Sequence, residues 1–301
     1  MDEGPPAPGS RGPGTAAGSP EASVTPGHVW SVIGSVVAPA TLLSALLFYF
    51  GYVSARAKFE YFGVDVDSLG YSTQEFVMLA PQPLLVPALL LLLGAATLTW
   101  GNGVVKRRLD AAPAGSAYRV TTLLMRGGAV LVVLGTGMLL AFPVLGSSPA
   151  YPLVTPVLLG SGAGLQALGA SWSTGPSRVS RTTVVLLVLV VVAAVFWATA
   201  TLARWSGTGQ AKALARDLIS LPAVVVDTAD PLFPGDDAVV ETTFPAAEEQ
   251  TYRYRYRGLR LLAEGEGRLF LVPERWSPSG STFTIALDEA RVRFRFVNDP
   301  P

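Results

Sequence analysis

Cysteine is absent from the chain, and histidine occurs once, at His28. The first absence excludes disulfides, thiol catalysis and thiolate-bound metals, and it leaves the redox compartment open. The second leaves the serine of the GSGAG run, Ser161, without a histidine base, since His28 falls at the edge of a tail expected to be disordered. Charge is scarce too. Only 15% of residues are Asp, Glu, Lys or Arg, against about 25% in an ordinary soluble domain, a deficit that belongs to membrane proteins. Formal net charge is zero, so no overall field draws the chain to nucleic acid.

What is present is apolar sequence in long runs. Thr182–Ala203 carries no charge over 22 residues, about 33 Å as a helix, which matches the hydrocarbon core of a bilayer. Comparable runs cover 29–53, 77–100, 127–146 and 152–172. Five spans make a helical membrane bundle over 28–204. Their interiors hold no Asp, Glu, Lys, Arg or His. Carriers coupled to protons, pumps and voltage sensors keep such groups at membrane depth, so their absence weighs against those classes. Gln82 and Gln166 are the large amides there, and they read as helix–helix hydrogen-bonding groups. Gly160, Gly162, Gly164 and Gly169 in the fourth span suit close helix contact, not a nucleotide fingerprint.

Before the bundle, residues 1–27 are Gly, Pro, Ala and Ser with few large apolar side chains, a composition that stays disordered. In the first connection, 54–72, Asp65 and Asp67 read as turn or cap residues, because a calcium loop needs more oxygen ligands. Ser72-Thr73-Gln74-Glu75 is a capping box that starts the second helix in water, with a kink expected among Pro81, Pro83 and Pro87. After the last span, 205–220 reads as a short interfacial helix ended before Pro222. The remainder, 221–301, alternates with period two. Strands are predicted at 223–227, 238–243, 251–262, 268–273, 282–287 and 292–297, a small antiparallel sandwich or barrel. In the longest strand the tyrosines 252, 254 and 256 share a face until Gly258, where the phase inverts, so a bulge is predicted there. Phe283, Ile285, Leu287, Val292, Phe294 and Phe296 are the predicted core.

The blocks YFGVDVDSLGYSTQEFV (61–77) and YRYRYRGLRLLAEGEGRLFLVPERW (252–276) resemble those of uncharacterised multi-span membrane proteins of high-GC Gram-positive bacteria. So does the order of spans, short helix, proline and β-rich tail. The resemblance covers most of the chain beyond the N-terminal tail. It implies architecture and no activity, and Gln74-Glu75-Phe76 departs from the Thr-Asp-Tyr-like run expected there.

Two sets of residues are candidate contact sites. Arg253, Arg255 and Arg257 on one strand and Arg293 and Arg295 on the last would form a basic patch for phosphate or carboxylate if those strands were neighbours. Otherwise they form a solvated face, neutralised by Glu241, Glu248, Glu249, Glu264 and Glu266. Phe59, Tyr61, Phe62, Leu69 and Tyr71 make the 54–72 connection unusually apolar, a platform for the β domain or a group that dips into lipid. Basic residues number seven on the side of the N-terminus (Arg11, Lys106, Arg107, Arg108, Arg119, Arg178, Arg181) and five on the other (Arg56, Lys58, Arg204, Lys212, Arg216). That count sets the N-terminus in the cytoplasm and the C-terminal domain outside. The expectation is an integral membrane protein that presents an extracytoplasmic β domain as a sensor, scaffold or binding module. No catalysis, cofactor or metal is expected. Its partners would be the bilayer, an unidentified protein or envelope component, and a second copy of the chain in a homo-oligomer. The alternative is a transporter or channel subunit.

Overall fold

The computed structural model describes residues 1, 4, 26–110, 115–172, 179–245, 251–288 and 290–295, with the side chains of 26–38, 106, 109, 110, 116, 117 and 295 outside the description. The tail expected over 1–27 thus lies outside it up to Thr25 except for Met1 and Gly4, and Phe296 lies outside it too. The chain divides into compact units at 1–43 and 44–301. The first contains the opening turns of the first helix.

Among the described residues there are seven α-helices: α1 (Pro26–Glu60), α2 (Thr73–Leu79), α3 (Pro81–Asp110), α4 (Ser116–Leu140), α5 (Phe142–Leu145), α6 (Tyr151–Trp172) and α7 (Arg181–Arg216). Stretches within α1, α3, α4, α6 and α7 are long and apolar enough to cross a membrane. Several boundaries differ from the sequence expectation, each for a local reason. α1 runs on to Glu60 because nothing in Ser54–Glu60 breaks a helix, and the chain turns only at Gly63, in the left-handed region at φ 74°. The second span is two helices. The capping box forms as predicted, with Ser72 Oγ accepting from the Glu75 N–H and Glu75 from the Ser72 N–H. Pro81 then opens a new helix, where its missing N–H costs nothing. α4 begins at Ser116, well before the expected Gly127, and stops at Leu140, ahead of Pro143. The expected interfacial helix is the last three turns of α7, followed by a 3-10 turn at Leu218–Ser220.

Glycines set the helix contacts. α6 lies between α4 and α7. A Cβ on Gly162 would strike the Gly128 carbonyl and Val132, one on Gly169 would strike Met125, and one on Gly160 would strike Ala194. Gly207 of α7 rests on the Ser54 carbonyl, and Gly51 rests on the Phe76 carbonyl, which brings α1 against both α7 and α2. Gln166 packs in the α4–α6 seam beside Gly128.

The C-terminal part is one antiparallel sheet: β1 (Ala223–Thr228), β2 (Val240–Thr243), β3 (Tyr254–Gly265), β4 (Arg268–Pro273), β5 (Phe283–Ala286) and β6 (Ala290–Arg295). The strand positions follow the period-two reading closely, but the sheet is open and is neither a sandwich nor a barrel. Strand order is β5-β4-β3-β1-β6. The 12-residue β3 is the spine: β1 lies along one edge, while β2 and β4 share the other, β2 at 254–257 and β4 at 259–265. The predicted bulge is present. Val224 faces Leu259 and Val226 faces Tyr256, so one residue of β1 stands against Arg257 and Gly258. Gly258 holds φ 84°, where a side chain would be strained, and its open side faces the Ala238 carbonyl. The β3–β4 hairpin turns on Glu266 and Gly267, both at positive φ, as a two-residue turn requires.

Through the bulge, one face gathers Tyr254, Tyr256, Leu259 and Leu261 with Val224, Val226, Leu269, Leu271 and Ile285. The connection after β1 crosses this face: Val239 joins the cluster, and the Leu232 N–H donates to Tyr256 Oη at 2.8 Å. Phe283 and Val292 pack at its edge, while Leu287 and Phe294, predicted to be core, are 39% and 40% exposed.

Candidate functional site

The opposite face of the sheet meets the helix ends. Phe59, Val64, Val66 and Leu69 form one cluster with Ala55, Phe76 and Phe270, and Leu262 and Ala263 pack against it. Phe62 forms a second with Ala211 and Leu218 from the α7 side and Val272 and Trp276 from the sheet side, with Tyr61 and Leu214 at the margin. Each large side chain buried this way contributes about 1.5–3 kcal/mol. Polar ties reinforce the seam. Thr282 Oγ1 donates to the Phe62 carbonyl, the Leu69 carbonyl sits where Gly265 has no side chain, and Glu266 packs over Gly70. Tyr71 stays half-buried, its ring 6.0 Å from Phe59 and 5.7 Å from Phe76; burial first, then the Glu75 carboxylate, pushes its phenol above the usual value. The five apolar residues of the connection, Phe59, Tyr61, Phe62, Leu69 and Tyr71, therefore come together beneath or beside the sheet of their own chain.

Arg260 is a tie that the sequence reading did not single out. Its Nη1 donates to the carbonyls of Ile219 (3.2 Å) and Leu221 (2.9 Å), and its Nη2 meets Glu274 Oε1 at 2.8 Å. One buried guanidinium thus holds the exit of α7 against β3. Its signal in the sequence was an arginine flanked by Leu259 and Leu261, just past the bulge.

The two arginine stripes lie on strands separated by a third. β3 and β6 are not neighbours: β1 lies between them and brings Asp227. Arg255 grips this carboxylate at two points, Nε–Oδ1 2.7 Å and Nη2–Oδ2 3.1 Å, and Arg293 Nη2 reaches Oδ2 at 2.9 Å. The Asp227 side chain is 8% exposed, Arg255 24% and Arg293 53%. The hydrogen bond from Arg255, ahead of the remaining attractions, holds the Asp227 carboxyl below its ordinary value. Arg255 also lies over the Phe244 ring at 4.8 Å. Arg253 and Arg257 are exposed, and Arg295, described in its backbone, pairs opposite Ala223. Arg255 and Arg293 thus converge on one acid, Asp227, which is not among the glutamates expected to neutralise the stripes.

Other motifs serve local structure. Asp65 Oδ1 accepts from the Asp67 N–H and caps the 3-10 turn at Val66–Leu69, while Tyr52 donates to Asp67 Oδ2 at 3.2 Å. Ser161 donates back to the Val157 carbonyl at 2.6 Å. No three His, Asp or Glu side chains converge as metal ligands among the described residues.

Where the sheet meets α7, the docking creates an open pocket of 370 Å³. Tyr61 and Trp276 wall it, their rings 5.6 Å apart, and Lys212, Arg216, Ser277 and Pro278 complete it. Lys212 and Arg216 are exposed and make no ion pair with a described residue. The buried indole N–H of Trp276 has no acceptor among the described residues. Aromatic walls and two unpaired cations suit a ligand or side chain that carries an anionic group. Comparison of the chain with family models, with curated proteins and with solved structures gave no match.

Proposed function

We propose that this protein is a membrane-anchored binding module that acts without catalysis. It holds a β-sheet in fixed register on its own helix ends and offers the pocket at the junction to a partner bearing an anionic group. The observation that carries this reading is the docking itself. A domain tethered for passive anchorage needs no buried seam, whereas a sheet clamped through Phe62, Trp276 and Arg260 keeps Lys212 and Arg216 at set positions beside the aromatic wall. The seven-to-five distribution of basic residues named above supports an extracytoplasmic sheet. An alkaline phosphatase fused to the C-terminus, active outside the cell alone, reads the orientation directly.

The test uses the full chain in native membranes, with a photoreactive amino acid at Pro278. A binding module yields a discrete cross-linked protein or envelope component, and Lys212→Ala with Arg216→Ala removes it without lowering the melting temperature. Labelling that is diffuse and unchanged by the double substitution contradicts the reading. So does solute or ion flux in proteoliposomes, which would make the bundle a pore.

A further inference from the structure

Two spaces follow one another along the seam between α3 and α7. The first is an apolar groove of 650 Å³ between α3 and α6, floored by α7. Pro87 and Gly94 line it from α3, Pro156 and Gly160 from α6, Ala198 and Leu202 from α7, and none of its lining residues is charged. Small residues leave it unfilled: a Cβ on Gly94 would meet nothing within 4 Å. α3 and α6 are tied beyond it, where Trp172 Nε1 donates to Asn102 Oδ1 at 2.9 Å.

The second space is a 70 Å³ pocket on the sheet side of the same seam, lined by Lys58, Tyr71, Gln82 and Gln210 among others. Lys58 is half-buried and makes no ion pair with a described residue. Glu75, on the adjoining α2, already accepts the Ser72 N–H at 2.6 Å in the capping box. Gln210 lies eight residues beyond Leu202 on α7, about 12 Å along the axis. Gln82 precedes Pro87 by five residues on α3, about 7.5 Å. A cation and amide groups one to two helical turns along the seam from an apolar groove form the two halves of an amphiphile's site.

We propose that this seam binds a phospholipid with an anionic head group. Its phosphate sits at Lys58 among Tyr71, Gln82 and Gln210, and an acyl chain lies in the groove between α3 and α6. A cation at this level satisfies its charge with a lipid phosphate, and the chain fills space that the helices leave open. The site is separate from the junction pocket, so either can fail without the other.

The experiment places the full chain in phosphatidylcholine nanodiscs containing a trace of a diazirine-acyl lipid, either phosphatidylglycerol or phosphatidylcholine. The phosphatidylglycerol probe should label peptides spanning 87–94, 153–161 and 191–202 at least about fivefold more than the phosphatidylcholine probe, the factor that one cation at the membrane surface confers. Lys58→Gln should abolish that preference, and Ala198→Trp, which fills the groove, should abolish the labelling. If Lys58→Gln lowers the melting temperature, the comparison of the two probes on the wild type decides. Equal labelling by both probes overturns the proposal, as does a preference that survives both substitutions. Competition by millimolar inorganic phosphate would assign the pocket to a free anion, and cross-links from the groove to a second copy would assign the groove to a helix; either result also overturns it.

Discussion

Phe62 and Trp276 face each other across the seam between the end of α1 and the sheet, ring centroids 4.8 Å apart and planes at 51°. Both are buried, with Val272, Leu218 and Ala211 around them. Phe62→Ala would empty this contact, and such truncations of buried phenylalanine cost about 3–5 kcal/mol. Thermal unfolding of the full chain in detergent should show the loss. Sheet amides near Val272 should also lose hydrogen-exchange protection before the amides within α4 and α6. Protection that falls evenly throughout would mean that the sheet does not dock as a unit.

Arg260 supplies the polar half of the same seam. Arg260→Met keeps much of the aliphatic stem but removes the bonds to the Ile219 and Leu221 carbonyls, and hydrogen bonds to a charged group are worth about 1.5–3 kcal/mol. The variant should lose stability in that range. Glu274→Gln should lose less, because the Glu274 side chain is 41% exposed and Arg260 keeps both carbonyls. Equal losses would locate the stabilisation in the ion pair instead.

Asp227 makes a prediction in pH. Its carboxyl is held below its ordinary value, chiefly by the hydrogen bond from Arg255. The folded value is therefore the depressed one. The stabilisation is fully present above the unfolded value, near pH 4, and is lost as pH falls through the folded value. Asp227→Asn should flatten the acid limb of a stability-versus-pH curve measured from pH 7 down to 2. Among the arginines, exposed Arg253→Ala should stay within about 0.5 kcal/mol of wild type, and Arg255→Ala should fall clearly outside that band. An acid limb unchanged in Asp227→Asn would remove Asp227 from the account of acid stability.

Much of the architecture was legible because its signals are local. Charge-free runs long enough to span a bilayer marked the helices, and alternation located the strands. The phase inversion around Gly258 exposed the bulge, since nothing else lets Tyr256 and Leu259 share a face. The sandwich was misread for a non-local reason. An alternating strand shows that each face needs cover but not what provides it. Here one face is covered by the connection after β1, and part of the other by α1 and α7. Asp227 was missed for the same cause: only the strand order reveals that β1 separates β3 from β6. Phe59, Phe62 and Leu69 stood out because they are too many large side chains for an exposed loop, but composition alone did not choose between sheet and lipid as their cover; they pack against Phe270, Val272 and Trp276. The extension of α7 beneath the sheet was not legible, because Gly207 and Gly209 look like breakers until Ser54 is seen against Gly207.

A single disulfide probes the docking most directly, because the chain has no native cysteine. Glu266 lies over Gly70, close enough that a Cβ on Gly70 would touch the Glu266 side chain, the proximity that a disulfide needs. Gly70→Cys with Glu266→Cys should oxidise rapidly in native membranes within one chain, giving a monomer of altered gel mobility that reverts on reduction. Arg253→Cys paired with Gly70→Cys should remain reduced. A docked sheet predicts that contrast. Failure of the first pair to close, or its closure only between two chains, would contradict a sheet seated on its own helix ends.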